Sequence, residues 1–108
     1  MMLYHFTHPN NFSSIMRDGL VPSDWRLSDK SIDRACVWLF DTPETRDYMD
    51  DRYRCLIVRV ERDQVVNYAE YRDAHPGLMP WGRKLDLDHM WVAFEVIPPK
   101  RITFPSDG

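Results

Sequence analysis

At 108 residues the chain has room for one domain with a single modest core, residues 1–108, and not for two. Its formal net charge of −3 argues against broad, non-specific binding to nucleic acid, which depends on neutralising many phosphates. The 44% hydrophobic and 29% charged fractions are ordinary for a globular domain, but Trp 4, Tyr 5 and Phe 5 exceed what a minimal core needs, so some rings are expected to line a site or an interface.

No stretch approaches the ~20 apolar residues that span a bilayer. No charged start leads into an apolar run of the secretory kind. With no metal-ligand spacing of Cys or His either, the expectation is a reduced, cytoplasmic protein without a metal site. Cys36 and Cys55 both sit in apolar runs and read as small core residues; they pair only if their strands are neighbours, which spacing leaves open.

In chain order, Met1 to Thr7 is apolar and aromatic with a polar end, and reads as a first strand. Pro9 suits the first turn of a helix, with Thr7 or His8 near its cap, Phe12, Ile15 and Met16 at helical spacing, and Gly19 as the stop. Leu20 to Asp33 is polar and aperiodic, a long loop of the kind that is usually functional. Ala35 to Phe40 is β-like, and Thr42-Pro43-Glu44 is a helix start whose helix is expected to run to about Tyr53.

Cys55 to Glu61 is the clearest strand, rich in β-branched residues. Asp63 to Ala74 is read as helix. Trp91 to Ile97 reads as a late strand with Val92, Phe94 and Val96 on one face and Trp91, Ala93 and Glu95 on the other, and Arg101 to Phe104 as a last short strand. Elements mix without regular alternation, which implies an α+β domain with a mainly antiparallel, possibly split sheet. Arg46, Arg52 and Arg54 interleave with Asp47, Asp50 and Asp51, the pattern of a solvated helix face.

Several side chains are candidates for chemistry. His5 and Thr7 are two apart on the first strand and share a face, so they can hold a ribose or an amide; the alternative is a core histidine and a helix cap. Trp38 and Phe40 share a strand face, where Trp38 is either a stacking ring or core packing. Glu95 is the only carboxylate inside its apolar strand, and is expected to line a solvated cleft or to pair with Arg34 or Arg59. Asp86, Asp88 and His89 read as a polar turn.

Tyr4-His-Phe-Thr-His8, followed by Asn11-Phe-Ser-Ser-Ile15 and Gly19-Leu20, resembles the opening of the bacterial DNA-targeting ADP-ribosyltransferase toxins. More loosely it is similar to the openings of poly(ADP-ribose) polymerases and tRNA 2'-phosphotransferases. Val37-Trp-Leu-Phe40 resembles the second motif of that fold, with Trp where Tyr is usual, and Glu95 matches its late acidic residue in position.

The resemblance implies a compact ADP-ribosyltransferase-like split antiparallel sheet with short helices and NAD as co-substrate. It implies His5 and Thr7 at a ribose, Trp38 on nicotinamide, and Glu95 stabilising the oxocarbenium-like transition state. Either Arg26 or Arg34, in or beside the long loop, would meet the diphosphate. The implied activity is transfer of ADP-ribose to a macromolecular acceptor; the alternative is a catalytically silent relative that inhibits by binding a protein or nucleotide, such as a phage anti-defence factor. Phosphate transfer or RNA-end processing, the looser likeness, is disfavoured by the few basic residues around the motifs.

Overall fold

The structure, a computed structural model, describes residues 1–24, 27–28, 30–44, 51–78 and 88–105. Six strands, β1 (Met2–Thr7), β2 (Val37–Phe40), β3 (Arg54–Arg59), β4 (Val66–Asn67), β5 (Met90–Ala93) and β6 (Ile102–Thr103), form one sheet in the order β4-β5-β2-β1-β3-β6. Every neighbouring pair is antiparallel. Two short helices, α1 (Phe12–Asp18) and α2 (Tyr68–Ala74), complete an α+β fold.

The central strands are apolar on both faces because both faces are covered. Leu3, Leu39, Leu56 and Val58 turn to one face and pack with Ile15 of α1. Phe6, Trp38, Phe40 and Val92 turn to the other and pack with Tyr68 of α2. Alternation along β1 and β2 assigns each side chain to its layer, since successive residues point to opposite faces. Leu3, Leu39 and Leu56 are fully buried, and truncating any one to Ala is expected to cost about 2–5 kcal/mol.

Pro9 to Asn11 forms a 3-10 turn that runs into α1. His8 holds its N-cap position without a side-chain cap hydrogen bond, and the Thr7 hydroxyl accepts a hydrogen bond from Asn11 Nδ2 at 2.9 Å. At the far end Gly19 has φ +81° and ψ −168°, a region open essentially to glycine alone. Its neighbour Leu20 exchanges backbone hydrogen bonds with Ile97 at 2.9 and 3.0 Å. A Cβ on Gly19 would stand 2.1 Å from the Ile97 carbonyl oxygen.

Three expectations are corrected. The 63–74 segment is not one helix: a turn at Arg62–Gln64 leads to β4, and α2 begins at Tyr68, because Val66 and Asn67 pair with Val92 and Trp91. The late strand ends at Ala93, so Glu95 lies in a bend rather than in the ladder. Asp41 to Glu44 is not helical and 51–52 is a turn; residues 45–50 of the expected helix lie outside the described residues. The pairing that spacing left open is settled as well: Cys36 immediately precedes β2, Cys55 lies on β3, β1 runs between those strands, and both thiols are free.

The end of β2 is tied to the start of β5 through Asp41. Its carboxylate accepts from His89 Nδ1 at 2.9 Å and from Trp91 Nε1 at 3.1 Å. Asp86 lies outside the described residues.

Candidate functional site

The sheet is continuous, but its β1–β2 seam is thin. The two strands are in register at the single pair Tyr4–Phe40, whereas β1 and β3 stay in register from Met2–Arg59 through Thr7–Arg54. Continued pairing would set Phe6 opposite Trp38; instead the strands part there. A cavity of about 760 Å³ opens beside the gap, walled by the second half of β1, the start of β2 and α1. That volume is in the range of small-ligand sites.

Because the cavity lies at a parting of strands, it takes walls from both layers. His5 and Thr7 come from one face of β1, and Trp38 and Phe40 from the opposite face of β2. His5 Nδ1 donates to the Trp38 carbonyl oxygen at 2.9 Å, a side-chain bond from β1 to β2 beside the single paired register. A carbonyl can only accept, so Nδ1 carries the proton and Nε2 is left as the ring nitrogen that a ligand can meet. Burial pushes the His5 pKa below the ordinary histidine value and outweighs the Trp38 carbonyl, which favours the charged ring.

Thr7 is buried, and its oxygen already accepts from Asn11 Nδ2. The Thr7 hydroxyl proton is therefore available as a donor, and His5 Nε2, on the same cavity wall, as an acceptor. Such a donor and acceptor pair matches a carboxamide or the hydroxyls of a ribose.

Trp38 is only 6% exposed, and its ring meets Tyr68 edge-on with centroids 5.0 Å apart. It is a wall of the core as much as of the cavity. Tyr53, half-buried on the cavity wall, offers a more accessible ring. Asp18 is the one Asp or Glu among the described cavity walls; the adjacent Arg17 guanidinium, 3.0 Å away, holds its carboxyl below the ordinary range. No Lys or Arg is among those walls.

The remaining candidates do not join His5, Thr7 and Trp38. Glu95 is exposed and lines a separate cavity of about 370 Å³ with Gln64 and Arg101. It pairs with neither expected base: the Arg34 guanidinium lies over the Phe94 ring at 4.2 Å, and Arg59 donates to the Lys100 carbonyl. Arg34 is exposed and away from the main cavity. Arg26 lies outside the described residues.

Asn11, Asp18 and Tyr53 are wall residues that sequence reasoning missed. Asn11 stands four residues beyond Thr7, a spacing that signals the contact once the helix start is known. Tyr53 gave no such signal, because it was assigned to a helix.

Among the described residues no helix is long and apolar enough to cross a membrane, and no three His, Cys, Asp or Glu side chains are grouped to hold a metal ion. No family model matches the chain, and no curated protein matches it either.

Proposed function

We propose that the β1–β2 cleft binds NAD and that the chain is an ADP-ribosyltransferase-like protein that transfers ADP-ribose to a macromolecular acceptor. The observation that carries this reading is the His5–Trp38 hydrogen bond at the parting of the strands. It fixes the imidazole tautomer, and His5 and Thr7 both line a cavity of nucleotide-compatible size. Support from the sequence is the Tyr4 to His8 opening and its resemblance to the toxin family.

In this reading His5 Nε2 accepts from a ribose hydroxyl, Thr7 donates to a neighbouring oxygen, and Tyr53 flanks the flat ring of the ligand. The C1'–N bond breaks, its electron pair leaves with nicotinamide, and the acceptor nucleophile forms the new bond to C1' as it loses its proton. Positive charge gathers at the ribose in between, where a carboxylate is most stabilising.

One observation favours a second reading, in which the cleft binds without turnover and the protein is an inhibitor of a protein or nucleotide signal. Glu95, the carboxylate that the resemblance assigns to the ribose, lines the other cavity. Titration with NAD and ADP-ribose, paired with an assay of nicotinamide release, separates the two for the wild type, His5→Ala and Glu95→Gln.

The transferase reading expects binding that His5→Ala abolishes and release that Glu95→Gln stops. Binding retained in Glu95→Gln with no release from any variant gives the silent reading. Undiminished release from Glu95→Gln removes that residue from the chemistry, and no binding of either ligand overturns the nucleotide cleft.

A further inference from the structure

A further concavity, of about 440 Å³, is lined by His8, Pro9, Asn10, Asp51, Arg52 and Arg54. One aromatic contact separates the two: Tyr53 walls the cleft, His8 walls the concavity, and their rings meet edge-on with centroids 4.4 Å apart. A strand register links them as well. Thr7 of the cleft lies directly opposite Arg54, and cross-strand partners share a sheet face with Cβ atoms roughly 5 Å apart.

Arg54 is held in a particular way. Its Nη1 donates to the carbonyls of Asp51 and Tyr53, at 3.0 and 3.1 Å, which folds the guanidinium against the turn that precedes β3. The Nε and Nη2 edge, whose two parallel N–H groups match two oxygens of a phosphate, has no acceptor among the described residues. Among the described lining residues Arg52 is a second arginine beside Asp51, on a chain of net charge −3. The Asn10 amide supplies a further neutral donor.

From this we infer that the concavity is a phosphate-binding subsite continuing the cleft, in which Arg54 grips phosphate oxygens bidentately while the sugar or base occupies the His5 side. The inference rests on the reading of the cleft as a nucleotide site and supplies what that cleft lacks, since no Lys or Arg lines its described walls. The phosphate belongs either to the diphosphate of the bound nucleotide or to the backbone of a nucleic-acid acceptor.

The test titrates wild type, the double variant Arg52→Gln/Arg54→Gln and the single variant Arg54→Lys with adenosine, ADP-ribose, inorganic pyrophosphate and a short single-stranded oligonucleotide. The double variant is expected to bind ADP-ribose and pyrophosphate about tenfold or more weakly and adenosine as wild type does. Arg54→Lys keeps the charge without the fork and is expected to fall between them. Thermal melts and circular dichroism check that these exposed substitutions keep the fold.

Weakening confined to the oligonucleotide assigns the subsite to the acceptor. Phosphate-bearing probes that bind wild type and double variant alike overturn the subsite and leave the nucleotide cleft standing. Arginine-dependent binding of pyrophosphate or oligonucleotide, with no binding of ADP-ribose, keeps the subsite and removes the nucleotide reading. Failure of every phosphate-bearing probe to bind wild type overturns both.

Discussion

The His5 imidazole donates through Nδ1 to the carbonyl oxygen of Trp38 at 2.9 Å, at the point where the backbone ladder between their strands stops. The bond fixes the imidazole tautomer and leaves Nε2 as the remaining ring nitrogen. In the proposed reading, stability and ligand binding are coupled at this residue.

His5→Ala leaves the Trp38 carbonyl without its donor, at a cost of about 1–3 kcal/mol. His5→Asn can present an amide N–H near the position of Nδ1 and is expected to recover part of that loss while lacking Nε2. Denaturant unfolding of both variants, alongside NAD titration, checks this: stability is partly restored in His5→Asn and binding is restored in neither. Equal stability of His5→Ala and wild type would remove the structural role.

The lowered His5 pKa makes stability depend on pH. The unfolded chain takes up a proton at His5 near the ordinary histidine value, and the folded chain resists until a lower pH. The unfolded state therefore binds more protons across that window, and stability rises with pH there. Unfolding free energy should be complete above about pH 7 and fall as pH drops below about 6.5, with a shallower fall in His5→Asn. Parallel pH profiles for the two proteins would exclude His5 as the source.

Gly19→Ala is expected to destabilise by about 2–3 kcal/mol. The added Cβ meets backbone oxygen at Ile97, and no side-chain rotation relieves it. Loss should extend to the cleft, because Gly19 and Leu20 are among its walls. A melting temperature matching wild type would show that the Leu20–Ile97 pairing yields easily.

The Cys36 thiol, 1% exposed on the cavity wall, is pushed up to about 12 by burial and then by the nearby Asp33 charge. At pH 8 its thiolate fraction is on the order of one in ten thousand, and the thiolate is the reactive form. Iodoacetamide at pH 8 should label Cys36 only on unfolding, with protease mapping to identify the site. Rapid labelling of the native protein at Cys36 would contradict the burial.

Much of the local structure was legible in the chain. Leu3, His5 and Thr7 against Tyr4 and Phe6, and Val37 and Leu39 against Trp38 and Phe40, alternate with the period of a strand, and both sets fall on the faces that this period assigns. Pro9 and Gly19 bracket α1 because each restricts the backbone within one or two residues of itself. Val66 and Asn67 misled the helix expectation because their strand conformation comes from Val92 and Trp91, residues distant in sequence.

The site was legible only in part, for a related reason. His5, Thr7 and Trp38 converge on one cavity, whereas Glu95 and Arg34 do not. Position along a late strand carries no information about where that strand stops, and β5 stops at Ala93. Arg52 and Arg54 resembled a helix face in sequence, yet a turn and a strand start bring them to the concavity beside His8.

What the amino-acid sequence determined by itself was therefore short-range: the presence of β1, β2, β3 and α1, which face each residue of β1 and β2 takes, and the stop at Gly19. These follow from sterics and periodicity over a few residues. Strand order, the separation of Cys36 from Cys55 by β1, the parting of β1 from β2 at His5, and the company each polar side chain keeps were decided by the tertiary structure alone. They depend on packing two apolar layers across one sheet, an interaction among residues far apart in the chain that no local pattern encodes.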